Sequence, residues 1–360
     1  MKINELKLTN YRNLSSQTFK FNQHLNIFVG DNGQGKTNII EAITYLSSGR
    51  SFRVNKDEYL INYESEFAKI ESVFDNQDSL QVVISNQGKY LTYNQATISK
   101  LSDFIGICNV VLFQPDDLQF FTQSPRLRRR EIDYELGKSS KKYLNQLLVV
   151  NKLISDRNAY LKSEKIDEIF LEVIDKQLIE NSIEIIKQRK LFIEDLSYSI
   201  NQYFKELSGI DVKINLKYHA PINLESTNYH EAYSIKLKES YQRDKEFKMT
   251  HIGIHRDDYI FQVNEIPVVN VLSQGQRRLL IIAYKLALMD WFIKRNDVVP
   301  IFCMDDLFSE LDRDKRLKVL DLLDERLQVF ISTTDLRFIE TKKEKVIYKI
   351  TQGEGGIIHE

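Results

Sequence analysis

Apolar and polar positions alternate in short runs over residues 1–29. Ile3-Asn4-Glu5-Leu6-Lys7-Leu8 and Thr18-Phe19-Lys20-Phe21 carry the period of antiparallel strands, with Asn10, Asn13 and Ser15-Ser16 as turn residues. Leu25-Asn26-Ile27-Phe28-Val29 is short and mostly apolar, which predicts a buried strand. Over residues 38–46 the apolar positions move to i, i+3, i+4 and i+7, the period of a helix. Residues 51–112 return to strand chemistry at 67–74, 80–84 and 90–93, with a hairpin turn at Asn86-Gln87-Gly88-Lys89. Residues 109–113 predict another buried strand. From about residue 139 to Gly209 there is neither glycine nor proline, and apolar residues such as Leu144, Leu147, Leu148, Phe170, Val173, Ile174, Phe192, Ile193 and Leu196 recur at spacings of three and four. That pattern predicts two or three amphipathic helices packed antiparallel. A helix of about 30 residues would span about 45 Å, a short arm rather than a long coiled coil. Residues 210–216 are strand-like, and a charged helix is expected around 230–247. Residues 279–291 predict a helix apolar on most of its circumference, and 298–304 and 329–332 predict strands.

Composition sets the scale. At 360 residues, 42% hydrophobic and 28% charged, the chain can bury a substantial core and form about two or three domains. No apolar run reaches the length of a membrane span, and no charged-then-apolar leader suggests export. Cys108 and Cys303 lie in apolar runs, as reduced core residues do, so a cytoplasmic home is expected. A net charge of −1 does not suit a constitutive, non-specific nucleic-acid binder. Any such contact would use a local patch or a surface made by assembly.

Candidate chemistry centres on Gly30-Asp31-Asn32-Gly33-Gln34-Gly35-Lys36-Thr37, which fits the P-loop pattern and lies between a predicted strand and a predicted helix. The glycines let backbone N–H groups turn onto phosphate oxygens, Lys36 would reach the β and γ phosphates, and the Thr37 hydroxyl would hold Mg²⁺. The helix N-terminus, including Asn38, adds partial positive charge there. Residues 298–304 lead into Asp305-Asp306. A buried strand ending in two carboxylates is Walker B chemistry: Asp305 for Mg²⁺, Asp306 to orient or deprotonate the attacking water. Thr333-Thr334-Asp335 follows the last strand and places hydroxyls where a γ-phosphate sensor would sit. Ser273-Gln274-Gly275-Gln276 precedes a helix, either as a second anion cradle facing a nucleotide held by a partner subunit or as a plain helix cap with Ser273 at the N-cap.

Other motifs allow more than one reading each. Arg12 can reach phosphate or ribose, or be an exposed turn residue. Gln114, just past a strand, can report on a Mg²⁺ site or lie in an ordinary loop. Arg126, Arg128, Arg129 and Arg130 form a phosphate-contacting patch, an interdomain latch, or a solvated helix face paired with Glu131, Asp133 and Glu135. His251, His255, Asp257 and Asp258 invite a metal reading, but their spacing fits an ion-paired turn beside the nucleotide site better than any zinc pattern.

The P-loop, Ser-Gln-Gly-Gln, a strand ending in Asp-Asp and Ser309-Glu310-Leu311-Asp312, in that order, resemble the ABC-type ATPases of the SMC-like branch. With a short insertion, Asn10-Tyr11-Arg12-Asn13, Phe113-Gln114-Pro115-Asp116-Asp117, Ser124-Pro125-Arg126-Leu127-Arg128-Arg129-Arg130 and Gly253-Ile254-His255-Arg256-Asp257-Asp258, the chain resembles the RecF family of bacterial recombination mediators. Ile254 and Gln123 stand where that family usually has proline and glycine. The resemblance implies an α/β fold, an ABC-type (SMC-like) P-loop ATPase head with mixed β-sheets plus a short helical arm. The head would be split between residues 1–120 and 249–360, with a mainly helical insertion at 121–248. It implies a cytoplasmic protein of DNA repair, recombination and replication that binds ATP and Mg²⁺ and forms an ATP-dependent homodimer. Such a protein favours gapped or single-strand/double-strand junction DNA, and acts with RecR and RecO, and indirectly RecA. Carried onto this sequence, Gly30 to Asn38, Arg12, Gln114, Ser273, Gly275 and Gln276 would bind nucleotide. Thr37, Asp305 and Gln114 would serve the metal, and Asp306, Lys36 and Thr334 a slow, switch-like hydrolysis. Thr334 stands where many ABC ATPases have histidine. The alternative class is the nucleotide-binding subunit of an ABC transporter, which would need a compact subdomain in place of the amphipathic arm.

Overall fold

The structure, a computed structural model, describes residues 1–164 and 166–359. The chain divides into two compact units: residues 1–117, 202–211 and 278–360 form the first, and 118–201 with 212–277 the second.

The first unit opens with β1 (Ile3–Tyr11), β2 (Leu14–Lys20), β3 (Leu25–Val29) and α1 (Lys36–Ser48). It continues through β4 (Phe67–Phe74), β5 (Ser79–Ser85), β6 (Gly88–Tyr93), β7 (Ala96–Thr97), the single turn α2 (Leu101–Phe104) and β8 (Val110–Phe113). The second unit holds α3 (Pro125–Ser139), α4 (Lys141–Tyr160), most of α5 (Glu168–Ser208), β9 (Ile214–His219), α6 (Tyr229–Phe247), β10 (Asp258–Val263) and β11 (Ile266–Pro267). Helix α7 (Gln274–Asn296) leads back to the first unit, which closes with β12 (Ile301–Asp305), α8 (Arg313–Asp321), β13 (Gln328–Thr333), β14 (Lys345–Thr351) and β15 (Glu354–His359). No described helix is long and apolar enough to cross a membrane.

Two six-stranded sheets shape the first unit. One is antiparallel, in the order β2-β1-β4-β5-β6-β7. The other runs β15-β14-β3-β13-β12-β8, parallel throughout except for the β14–β15 hairpin. Ile39, Ile40, Ile43 and Leu46 of α1 join Leu6, Leu8 and Ile70 of the first sheet and Phe28, Phe330 and Tyr348 of the second in one core cluster. Hence α1 is buried nearly all round, and its polar residues need internal partners.

The first thirty residues depart from the expected antiparallel run. Tyr11 pairs with Leu14, so the β1–β2 turn is only Arg12-Asn13, with Arg12 at φ 56°, and Ser15 and Ser16 lie within β2. β3 leaves the hairpin and pairs in parallel with β13 and β14. Four consecutive residues of β3 are buried, as in a strand covered on both faces. The hairpin turn expected at 86–89 is present but shorter: Ser85 pairs with Gly88, so only Asn86-Gln87 turn and Gly88 and Lys89 lie in β6.

Helix α5, most of which lies in the second unit, runs 41 residues, about 60 Å at helical rise, longer than the helix anticipated for the arm. Two buried arginines tie its helices together. Arg157 on α4 holds Asp175 on α5 at 2.6 Å and Asp244 on α6 at 2.7 Å. Arg189 on α5 holds Asp133 on α3 at 2.6 Å and Asp257 at 2.5 Å. The expected split at residue 249 falls elsewhere: β10 pairs with β9 from Asp258–His219 to Val263–Ile214, which keeps residues 249–277 with the insertion. Residues 202–211, expected in the insertion, belong to the first unit.

Candidate functional site

β3 and α1 present the loop of residues 30–35 from the middle of the parallel sheet. The loop fits tightly because two glycines allow it. A Cβ on Gly30 would lie 2.3 Å from the Ile350 carbonyl oxygen on β14, and Gly35 has φ 114°, with Asn13 Oδ1 2.9 Å from where its Cβ would be. Asn13 Nδ2 donates to the Gln34 carbonyl at 3.3 Å, and Asn38 Nδ2 donates to Asn13 Oδ1 at 2.8 Å. From the β14–β15 turn, the Gly353 N–H donates to the Gln34 carbonyl at 2.9 Å and the Gln352 N–H to Gln34 Oε1 at 2.5 Å. Thus the loop is braced from both sides by residues remote in sequence.

Lys36 is buried, and its Nζ donates to the carbonyls of Gly30 and Asp31, both at 2.7 Å. Burial lowers its pKa, against the opposing pull of Asp306, Asp305 and Asp31. Thr37 Oγ1 donates to Asp305 Oδ1 at 3.0 Å, and Ser332 Oγ donates to the same oxygen at 2.5 Å. Burial pushes the Asp305 carboxyl up; the Ser332 and Thr37 hydrogen bonds pull it back down, while Asp306 adds to the rise. A buried carboxylate beside the P-loop hydroxyl calls for positive charge. One carboxylate and one hydroxyl fit Mg²⁺ carried in on phosphate oxygens, which keeps waters and needs few protein ligands. Among the described residues no group of three or more His, Cys, Asp or Glu could hold a metal by itself, so the histidine–aspartate metal reading has no cluster behind it.

Asp306 adopts φ 48°, the left-handed region, where a residue other than glycine is strained. Its N–H donates to Ser332 Oγ at 3.0 Å, while its Oδ1 is buried with no hydrogen-bond partner among the described residues. A strained backbone and an unpartnered carboxylate oxygen beside Asp305 are what a group reserved for substrate or water would show. Ser332 organises both aspartates, yet the sequence signal was only a hydroxyl near a strand end. Thr334 follows β13 and is half-buried, without a hydrogen bond among the described residues; the neighbouring Thr333 Oγ1 donates to the Asp335 carbonyl at 3.1 Å.

The remaining candidates divide. Arg12 is not an exposed turn residue: its guanidinium grips the wholly buried Glu41 of α1 at 2.8 and 3.0 Å and donates to the Tyr59 carbonyl at 2.9 Å. It braces the P-loop helix in this structure. The register that pairs Phe113 with Met304 sets Gln114 level with Asp305. Three residues on, Asp117 forms a largely buried ion pair with Lys285 of α7 at 3.3 Å. Burial raises the Asp117 carboxyl, and Lys285 counters that rise.

In the second unit, Ser273, Gln274 and Gly275 are exposed. Ser273 Oγ accepts from the Gln276 N–H at 3.3 Å while Gln276 Oε1 accepts from the Ser273 N–H at 2.8 Å, a reciprocal cap on α7. Ser273 therefore caps the helix, and its exposure leaves that helix end open. The arginine cluster is not one patch. Arg128 is buried against Asp258 at 2.7 Å, and Arg129 donates to the Asp257 carbonyl, so both latch α3 to the start of β10 within the second unit. Arg126 and Arg130 are exposed. Of the acidic residues offered as partners for a solvated helix face, Asp133 is taken by Arg189 and Glu135 by Lys138.

Comparison with known proteins adds to this geometry. Residues 2–109 match the family described as RecF/RecN/SMC N terminal domain. The chain is 36% identical over 360 residues to the DNA replication and repair protein RecF of Streptococcus equi subsp. equi, covering 98% of this chain and 97% of that relative. It is 38% identical over 341 residues to the RecF of Streptococcus thermophilus, covering 93% of each. Among solved structures, that of the recombination mediator protein RecF-ATP in RecFOR pathway superposes with a TM-score of 0.90 at 28% identity, over 99% of this chain and 98% of that one. An Smc head bound to the C-winged helix domain of ScpA shares the fold at a TM-score of 0.59 and 16% identity, over 99% of this chain and 97% of that one.

Proposed function

The chain belongs to the RecF family, with the fold of an SMC-like ATPase head, and from that premise we propose that it is an ATP-dependent DNA-binding protein of recombinational repair. Membership in that family displaces the transporter reading.

The observation that carries the proposal is the meeting of Thr37, Asp305 and Asp306 over Ser332, beside the buried Lys36. In the proposed site the loop N–H groups and Lys36 take the triphosphate, Lys36 exchanging its two carbonyl partners for phosphate oxygens. Thr37 Oγ1 and Asp305 would hold Mg²⁺, which neutralises charge developing on the phosphate oxygens. Asp306, with Oδ1 free of protein partners, orients or deprotonates the attacking water. Ser273, Gly275 and Gln276 from a second copy close over the γ-phosphate, the helix cap supplying a hydroxyl and backbone N–H groups. The dimer so formed gates binding to gapped or junction DNA. Slow hydrolysis releases it, and RecR and RecO act on the DNA-bound form in support of RecA loading.

The test is DNA binding with and without ATP. Lys36→Met should abolish the ATP-stimulated part of gapped-DNA binding. Equal binding by Lys36→Met and wild type in ATP would sink the gating scheme.

A further inference from the structure

The second unit contains a cavity of about 420 Å³ between α6 and the segment that precedes β10. Lys236, Ser240 and Arg243 line it from α6, and their spacing of four and three residues sets them on one helix face. His251 and Arg256 line it from the other side. The wall is therefore basic, although the whole chain is nearly neutral.

These charges are only partly neutralised. Lys236 pairs with Glu239, which also lines the cavity, at 2.8 Å. Arg243 and Arg256 have no carboxylate partner among the described residues. Arg243 lies 5.9 Å from the Phe247 ring, and Arg256 contacts the Thr250 carbonyl at 3.5 Å and the Met249 sulfur at 3.9 Å. His251 is anchored, its Nδ1 donating to the wholly buried Asp244 at 2.8 Å, while Nε2 has no partner among the described residues. Two guanidinium groups on one cavity repel each other unless an anion sits with them, and a phosphate accepts the guanidinium fork in two parallel hydrogen bonds. Beside them stands the Phe247 ring, 58% exposed and 5.6 Å from the His251 ring. An exposed aromatic ring at the rim of a basic cavity offers a stacking face for an unpaired base.

We propose that this cavity binds a backbone phosphate of a single nucleic-acid strand through Arg243 and Arg256, with Phe247 stacking on the adjoining base. The inference rests on the DNA-binding reading above and assigns to it a strand contact separate from Arg126 and Arg130.

The test uses the full chain with ATP, a fluorescein-labelled oligo-dT strand and a duplex of equal length, titrated across salt concentrations. Arg243→Gln with Arg256→Gln should weaken strand binding about 10-fold or more and lower the salt slope by about 0.7 for each phosphate no longer neutralised. Phe247→Ala should weaken strand binding by about 5-fold or more, leaving duplex binding and the salt slope unchanged. Thermal unfolding and ATP hydrolysis of these variants should match wild type, since all three side chains are exposed. Wild-type strand affinity and slope in the double variant would overturn the cavity assignment and leave the DNA-binding reading standing. Equal loss on strand and duplex with no effect of Phe247→Ala would overturn the single-strand assignment. Inorganic phosphate binding to the cavity at micromolar concentration, without competition from the oligonucleotide, would mark it as a free-phosphate site and overturn the strand assignment. Failure of the wild type to bind any DNA in ATP would sink the parent reading and the cavity with it.

Discussion

Ser332→Ala removes a single oxygen that serves both aspartates of the site. In the structure that oxygen donates to Asp305 Oδ1 at 2.5 Å and accepts from the Asp306 N–H at 3.0 Å, and Ser332 is 1% exposed. A hydrogen bond to a charged group contributes about 1.5–3 kcal/mol, and orphaning the N–H adds about 1 kcal/mol or more. The sum is about 3 kcal/mol, which in a domain of this size lowers the transition temperature by roughly 6–12 °C. The functional cost is separate. Loss of the bond removes a force that holds the Asp305 carboxyl down against burial, so its pKa rises further. A carboxylate that holds its proton more tightly binds a cation less well, and outer partners of metal ligands are typically worth about 10–100-fold in metal affinity. The assay is ATP hydrolysis by full-length protein against free Mg²⁺, repeated at two pH values. The Mg²⁺ midpoint should rise at least about 10-fold, and the rise should shrink at higher pH as Asp305 ionises. A variant that is thermally weakened but has the wild-type Mg²⁺ midpoint would show that Ser332 only supports the fold, refuting its role in orienting Asp305.

Three further outcomes follow from buried charges. Lys285→Met leaves Asp117 largely buried without its counter-charge and should cost about 3–5 kcal/mol, with most of that recovered in the double variant Asp117→Asn/Lys285→Met; thermal unfolding measures both. Arg128→Ala should destabilise the second unit by releasing its grip on Asp258, while Arg126→Ala should be thermally silent; equal melting curves would remove the latch. Burial holds His255 neutral, with its pKa lowered from 6.5 to about 4. The folded state then resists protonation that the unfolded chain accepts, so stability is full above pH 6.5 and falls as pH drops toward 4, by up to about 3 kcal/mol. His255→Gln should flatten that acid limb relative to wild type, and parallel pH profiles would show that His255 does not titrate in this way.

Where the chain folds by local rules, its sequence was a good guide. Strand, glycine loop and helix stand where the period changes predicted them, and the strand before Asp305 is buried along its whole length. The hairpin before Gly88 followed from turn chemistry alone. What was not legible depends on interactions between distant residues. Asn13 and Gln352 brace the P-loop through polar atoms that carry no pattern. The carboxylates that hold Arg12 and Arg128 could not be picked out, because Glu41 and Asp258 lie 29 and 130 residues away. Strand β3 obeyed its apolar run, but only the pairing with β13 and β14 decided that it is parallel. The membership of residues 249–277 in the second unit likewise rests on non-local contacts, the β9–β10 pairing and the grip of Arg189 and Arg128 on Asp257 and Asp258. The arm's long helix stops where Gly209 marks its end, but no glycine or proline marks where it begins.

In the proposed function the P-loop is half of a composite ATP site, completed by Ser273 of a second copy. It is tested most directly by measuring molar mass by light scattering, with and without Mg²⁺ and ATP, for the wild type and Ser273→Arg, alongside nucleotide binding by each. ATP should double the mass of the wild type, and Ser273→Arg should bind ATP normally but stay monomeric. A Ser273→Arg variant that dimerises with ATP as the wild type does would contradict it.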